Sequence, residues 1–120
     1  MNLNYSIIKH TLSDYTFHYD FLIKKNDILQ CWQFSSIANI EIGELIFCKK
    51  IFDHRLKYLN YQGPISNNRG KVQIIQNGFL EIIIQEDNLV RFRIDSELLN
   101  GNFEIRKIQS EAWEFKKLSD

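Results

Sequence analysis

Apolar positions along this chain come in short runs with a period of two, the signature of strands with one face on a core. Leu89 to Ile94 sets Leu89, Arg91 and Arg93 on one side and Val90, Phe92 and Ile94 on the other. Phe17 to Ile23 (FHYDFLI) does the same, with Phe17, Tyr19, Phe21 and Ile23 expected in the core and His18, Asp20 and Leu22 on the opposite face. Further strands are expected at Tyr5 to Lys9, Ile28 to Phe34, Leu45 to Phe52, Val72 to Gln76, Phe79 to Gln85, Phe103 to Ile108 and Ala112 to Lys116.

Turn residues punctuate these runs. Lys25-Asn26-Asp27 and Glu86-Asp87-Asn88 read as turns, Asn77-Gly78 as a tight hairpin and Asn100-Gly101 as another turn. Ser35 to Glu44 lacks a period and reads as a connection with a helical turn. Asp95 to Leu99 reads as a single helical turn capped by Asp95 or Ser96. The expected fold is an all-β, single-domain small barrel of antiparallel strands over residues 1–120.

Composition narrows the class. An apolar content of 44% in 120 residues supports a folded core. The N-terminal stretch lacks the basic-then-apolar pattern of a secretory signal, and no apolar run spans a bilayer, so a soluble cytoplasmic protein is expected. Cys31 and Cys48 match no metal-binding spacing and read as reduced thiols. A net charge of zero argues against a protein that coats nucleic acid non-specifically. Yet Lys49, Lys50, Arg55, Lys57, Arg69 and Lys71 face only Asp53 within residues 49–71, a local excess that fits a solvated surface or an anion site.

The candidate chemistry clusters around the histidines His10, His18 and His54. His18 and Asp20, two apart on a strand, aim an imidazole and a carboxylate at one point, as ligands of a first-row metal do. A surface pair has the same spacing. A hairpin-like return would bring His10 beside them. His54, next to Arg55, can protonate or stabilise a phosphate, or Asp53-His54-Arg55 forms an ion-pair cluster while Tyr58 and Tyr61 pack. Gln62 to Lys71 (QGPISNNRGK) is a turn-rich loop whose backbone N–H groups, with Arg69 and Lys71, could meet an anion; it is not a Walker loop.

In that order, HYDF at His18 to Phe21, Cys31-Trp32 and DHRLKYLNYQGPIS from Asp53 to Ser66 resemble the 3′-phosphoesterase domain of bacterial DNA ligase D, and its small stand-alone relatives more closely still. The resemblance implies a β-barrel hydrolase of DNA repair. It implies Mn²⁺, or another divalent first-row metal, and removal of a terminal ribonucleoside or phosphate from nucleic-acid 3′ ends. It places metal ligands at His18, Asp20 and His10, the last at a longer spacing than in the ligase domain. It gives His54 and Tyr58 catalytic positions and leaves Arg55, Arg69 and Lys71 to bind phosphate. The chain departs from the family's charged positions at Leu22, Lys24, Ser36, Ile46 and Phe52.

Those departures keep a second reading open, a non-catalytic module that binds nucleic-acid ends or repair proteins. A third reading, an oxygenase with a two-histidine, one-carboxylate iron site, lacks an evident anchor for a co-substrate.

Overall fold

The computed structural model describes residues 1–37 and 40–120. Nine strands form one sheet: β1 (Asn2–Thr11), β2 (Phe17–Lys25), β3 (Ile28–Phe34), β4 (Leu45–Arg55), β5 (Gly63–Pro64), β6 (Lys71–Glu86), β7 (Leu89–Asp95), β8 (Asn100–Gln109) and β9 (Ala112–Ser119). Their order is β1-β2-β3-β4-β9-β8-β7-β6-β5, and β1 also pairs with β6. That pairing closes eight antiparallel strands into a barrel and leaves the two-residue β5 hanging on β6. Closure removes the open edges of the main strands, the usual hazard of an all-β protein. Among the described residues no helix is long and apolar enough to cross a membrane.

The period of two fills the barrel. Phe21, Trp32, Phe34, Phe92, Phe103 and Phe115 are buried together with Ile7, Ile23, Val90, Ile94 and Ile105. The rings of Phe103 and Phe115 stack at 5.3 Å, and Phe21 meets Phe92 edge-on at 5.5 Å. Phe17, expected in this core, is 50% exposed, because it begins β2 beyond the packed layer and lies under the Lys9 ammonium at 4.2 Å.

Two turn expectations are overturned. Asn77-Gly78 is not a hairpin: β6 runs through it, with Asn77 opposite Ser6 and Gly78 opposite Tyr5. Lys71 to Glu81 pair with β1 and Glu81 to Glu86 with β7, so long-range pairing overrides the local turn signal. Asn100-Gly101 likewise lies inside β8, opposite Asp95 and Ile94.

Asp95 to Leu99 is not helical either. It closes the β7–β8 hairpin, and the Leu98 N–H donates to the Gln76 side chain instead of to a helical carbonyl. No helical turn forms among the described residues of Ser35 to Glu44; residues 38–39 of that connection lie outside them. Among the described residues, the one helical turn is a 3-10 turn at Leu56–Leu59.

The outer face of β1, β2, β3 and the first half of β6 is also covered. Ile8, Leu22, Leu29, Cys31 and Val72 are buried there under Ile51, Tyr58, Leu59, Tyr61 and Ile65. The segment from the 3-10 turn to β5 therefore acts as a strap across the outside of the barrel. The Tyr61 hydroxyl donates to the Pro64 carbonyl within the strap, which is fastened to β6 by the β5 pairing and where the Ile74 N–H donates to the Gln62 side chain.

Candidate metal centre

The site sits on this outer face, at the margin of the strap. Antiparallel register puts directly paired residues on one face. His10 lies opposite His18, Ile8 opposite Asp20, and Asp20 opposite Gln33. The hairpin return expected for His10 is thus present, with its ring 4.9 Å from that of His18.

His54 reaches the same face by an irregularity. On β4, Ile51 pairs with Cys31 and His54 with Leu29, so Phe52 and Asp53 together oppose Gln30. This bulge adds one residue and reverses the alternation. Without it His54 would have the parity of Lys50, whose backbone lies opposite that of the inward-facing Trp32.

One ligand atom each from His10, His18 and Asp20 lie within 4.8 Å of one another, and so do one each from Asp20, Cys31 and His54. Asp20 belongs to both sets. It is 2% exposed. His18 Nε2 lies 3.3 Å from Asp20 Oδ1, an ion-pair distance, but the angles do not make a hydrogen bond and Oδ1 has no such partner. A buried carboxylate oxygen left in this way costs free energy, and a cation would relieve it.

Two of the rings are already oriented. A ring nitrogen of His10, Nε2, lies 2.8 Å from the Arg69 carbonyl, and His54 Nδ1 lies 3.0 Å from the Phe52 carbonyl. A carbonyl only accepts, so each of these nitrogens carries the proton and the other nitrogen of the neutral ring keeps its lone pair. Metal-bound histidines are held by this kind of backbone contact. The residues present therefore fit a divalent cation.

Two joined clefts open here, of about 320 Å³ and about 520 Å³. Both include His10, Asp20, Phe52 and His54. The smaller adds Arg55, Tyr58 and Arg69, the larger His18, Lys49 and Lys50. Tyr58 packs on the outer cluster with its ring 6.0 Å from His54. Phe52 is 76% exposed and stacks on His54 at 5.0 Å, nearly parallel.

Not every expected residue arrives. Lys71 lies outside both clefts: it pairs with Thr11 and Pro64, next to Val72, which points the other way into the smaller cleft. The loop around Arg69 is less open than the sequence suggests, since the Ile65 N–H donates to the Gly70 carbonyl. The Arg69 guanidinium holds the Ser66 carbonyl and hydroxyl at 2.8 and 3.1 Å while still lining the cleft. Asp53 pairs with Lys50 at 3.9 Å, and Lys49 with Glu111 at 3.3 Å.

Cys31 is the residue that sequence spacing missed as a donor. It is a free, buried thiol, pushed well up from its ordinary pKa first by burial and then by the Asp20 carboxylate. Its partners lie on β2 and on β4 beyond the bulge, so no local motif marks it.

The chain matches no protein-family model, and no curated protein matches it.

Proposed function

We propose that the protein is a metal-dependent phosphoesterase that trims nucleic-acid 3′ ends. The observation that carries this reading is the buried, unsatisfied Asp20 oxygen beneath two histidines, in a cleft also lined by Arg55 and Arg69. The resemblance of the HYDF and DHRLKYLNYQGPIS stretches to a 3′-phosphoesterase domain supplies the substrate class.

In this reading His10, His18 and Asp20 hold Mn²⁺ or a related first-row cation. A bound divalent ion neutralises phosphate charge and lowers the pKa of water. The Nε2 of His54, with Nδ1 fixed on the Phe52 carbonyl, would face the reacting phosphate and act as acid or charge stabiliser in the doubly protonated imidazolium form. Arg55 and Arg69 orient phosphate oxygens, and Tyr58 flanks His54. Repair proteins are the partners expected beside such an activity.

The test is Mn²⁺ titration calorimetry followed by hydrolysis of a 3′-phosphorylated oligonucleotide. Asp20→Ala is expected to remove Mn²⁺ binding and to lower the rate by at least about 100-fold. Equal turnover in the wild type and the variant would end the assignment.

The exposed Phe52 ring favours a second reading, binding without hydrolysis. A ring presented at a cleft mouth is a surface on which an unpaired base can stack, a contact worth about 1–3 kcal/mol. Salt-sensitive binding of a short oligonucleotide without metal, weakened in Phe52→Ala and accompanied by no turnover, would favour that reading.

A further inference from the structure

The Mn²⁺ reading uses Asp20 with two histidines. The same carboxylate belongs to a second set of donors, with the Cys31 thiol and the His54 imidazole. We propose that Asp20, Cys31 and His54 form a distinct inner cation site selective for a thiophilic ion such as Zn²⁺.

The chemistry of the donors separates the two positions. Two imidazoles and a carboxylate accept any first-row divalent ion, whereas a thiolate favours zinc over manganese. One sulfur, one imidazole nitrogen and one carboxylate oxygen are three of the four corners that zinc fills, leaving one for water or a phosphate oxygen. Binding forms an S–Zn bond, and the thiol proton leaves to solvent.

Two observations make this more than a cysteine in an apolar layer. Asp20 is 2% exposed and its Oδ1, which lies 3.3 Å from His18 Nε2, has no hydrogen-bond partner, so the ligand that both sets share is buried and unsatisfied. His54 has Nδ1 committed to the Phe52 carbonyl, which leaves Nε2 as its only free donor atom. Cys31 forms no disulfide, and Leu22, Leu29 and Ile51 surround it and exclude water from the sulfur. The bulge at Phe52-Asp53 is what brings His54 over the cysteine.

An ion at the inner position would occupy the His54 nitrogen that the phosphoesterase reading assigns to the substrate. The inner site does not depend on that reading, and the two are separable by the residues they do not share. His10 belongs only to the outer set and Cys31 only to the inner.

The experiment uses the full chain and Co²⁺ as a spectroscopic stand-in for Zn²⁺. The ion is added both to the native protein and during refolding from denaturant, so that burial of the sulfur does not hide the site. The expected result is a sulfur-to-cobalt charge-transfer band in the near ultraviolet at one equivalent, removed by Zn²⁺. The band should be lost in Cys31→Ser and in His54→Ala and retained in His10→Ala. Zn²⁺ affinity should fall by about 10–100-fold in Cys31→Ser, with Mn²⁺ affinity within a factor of about two of the wild type. Circular dichroism verifies that each variant is folded. No such band under either loading condition, or a band that survives in folded Cys31→Ser, overturns the inner site. Loss of Mn²⁺ binding in His10→Ala bears on the outer site alone.

Discussion

The inside of the barrel and the outside of β1 to β3 are both apolar, but they are built differently. Inside, aromatic side chains from six strands meet one another: Phe21 from β2, Trp32 and Phe34 from β3, Phe92 from β7, Phe103 from β8, and Trp113 and Phe115 from β9, with Tyr5 from β1. Outside, five smaller buried residues lie under a strap with one 3-10 turn and a two-residue strand. The inner core is continuous around the closed sheet; the outer layer stops where His10, His18 and Asp20 begin. The barrel thus carries the stability, and the thin outer layer tolerates a buried carboxylate without a full set of partners. Function commonly sits where packing and polar satisfaction are incomplete.

The sharpest way to break this comparison is to damage the inner core alone. Phe103 is fully buried, stacks on Phe115 at 5.3 Å and lies 5.8 Å from Phe92. Phe103→Ala is expected to cost about 3–5 kcal/mol, a large share of the stability of a domain this size. Urea denaturation measures it. Leu22→Ala, in the outer layer, should cost less than Phe103→Ala, because the strap can settle into the space. A larger loss for Leu22→Ala would mean that the strap, and not the barrel interior, holds the fold together.

The next effect links the loop between β5 and β6 to the proposed metal ligands. Gly70 has φ +91°, and a Cβ there would lie 1.9 Å from the Thr11 carbonyl oxygen and 2.9 Å from Leu12 Cα. The neighbouring Arg69 carbonyl is the group that orients His10. Gly70→Ala must push the loop off the end of β1, at a cost of at least about 2 kcal/mol from strain and overlap. It should weaken Mn²⁺ binding by about 10-fold or more while leaving the barrel folded. Calorimetry and circular dichroism on the same sample check both statements. Unchanged Mn²⁺ affinity would show that the Arg69 carbonyl does not position His10.

These two regions were also unequally legible in the sequence. The barrel interior follows from strict alternation: Val90, Phe92 and Ile94 face in as their pattern demands. The His18/Asp20 face follows from the same rule, and the register of β1 on β2 brings His10 to it. What alternation could not give is a change of parity, and the bulge at Phe52-Asp53 is one. It turns His54 toward Leu29 and Cys31, so the inner donor set has no sequence signature. Asn77-Gly78 misled for a related reason. A dipeptide suited to a tight turn sits inside the stretch of β6 that pairs with β1, and pairing with Ser6 and Tyr5 outweighs it. Gln62 to Lys71, which overlaps only the end of the strap, reads in the sequence as a turn-rich loop able to meet an anion, because Gly, Pro and Asn mark turns without saying what the turns cover.

The two cysteines compare the regions through pH. Cys48 belongs to the barrel interior and Cys31 to the outer layer; burial pushes Cys48 up to about 12 from an ordinary 9.0 and also raises Cys31. A raised folded-state pKa means that the unfolded chain loses its thiol protons first. The stabilising contribution is complete below about pH 9 and is lost as the pH climbs toward 12. Thermal midpoints should therefore be flat in this respect from neutral pH to about 9 and then fall. Native protein at pH 8 should resist thiol reagents at both positions until it unfolds. Fast labelling of Cys31 alone, followed by mass spectrometry, would mean that the outer layer opens independently of the barrel.

The smallest effect distinguishes the regions by polar satisfaction. Ser6 lies on the outer face of β1, opposite Leu22 on β2 and Asn77 on β6, fully buried, and its hydroxyl has no hydrogen-bond partner. Unlike Asp20, it belongs to neither donor set and lines neither cleft. Replacing it removes a desolvated hydroxyl without opening a cavity of any size, so Ser6→Ala should stabilise the protein by up to about 1 kcal/mol. Mn²⁺ binding should not change. If Ser6→Ala instead destabilises the protein, the hydroxyl has a partner in solution, such as a buried water, and the outer layer is better satisfied than its geometry indicates. The unsatisfied Asp20 would then stand alone on that face, which would tie it more closely to a bound cation.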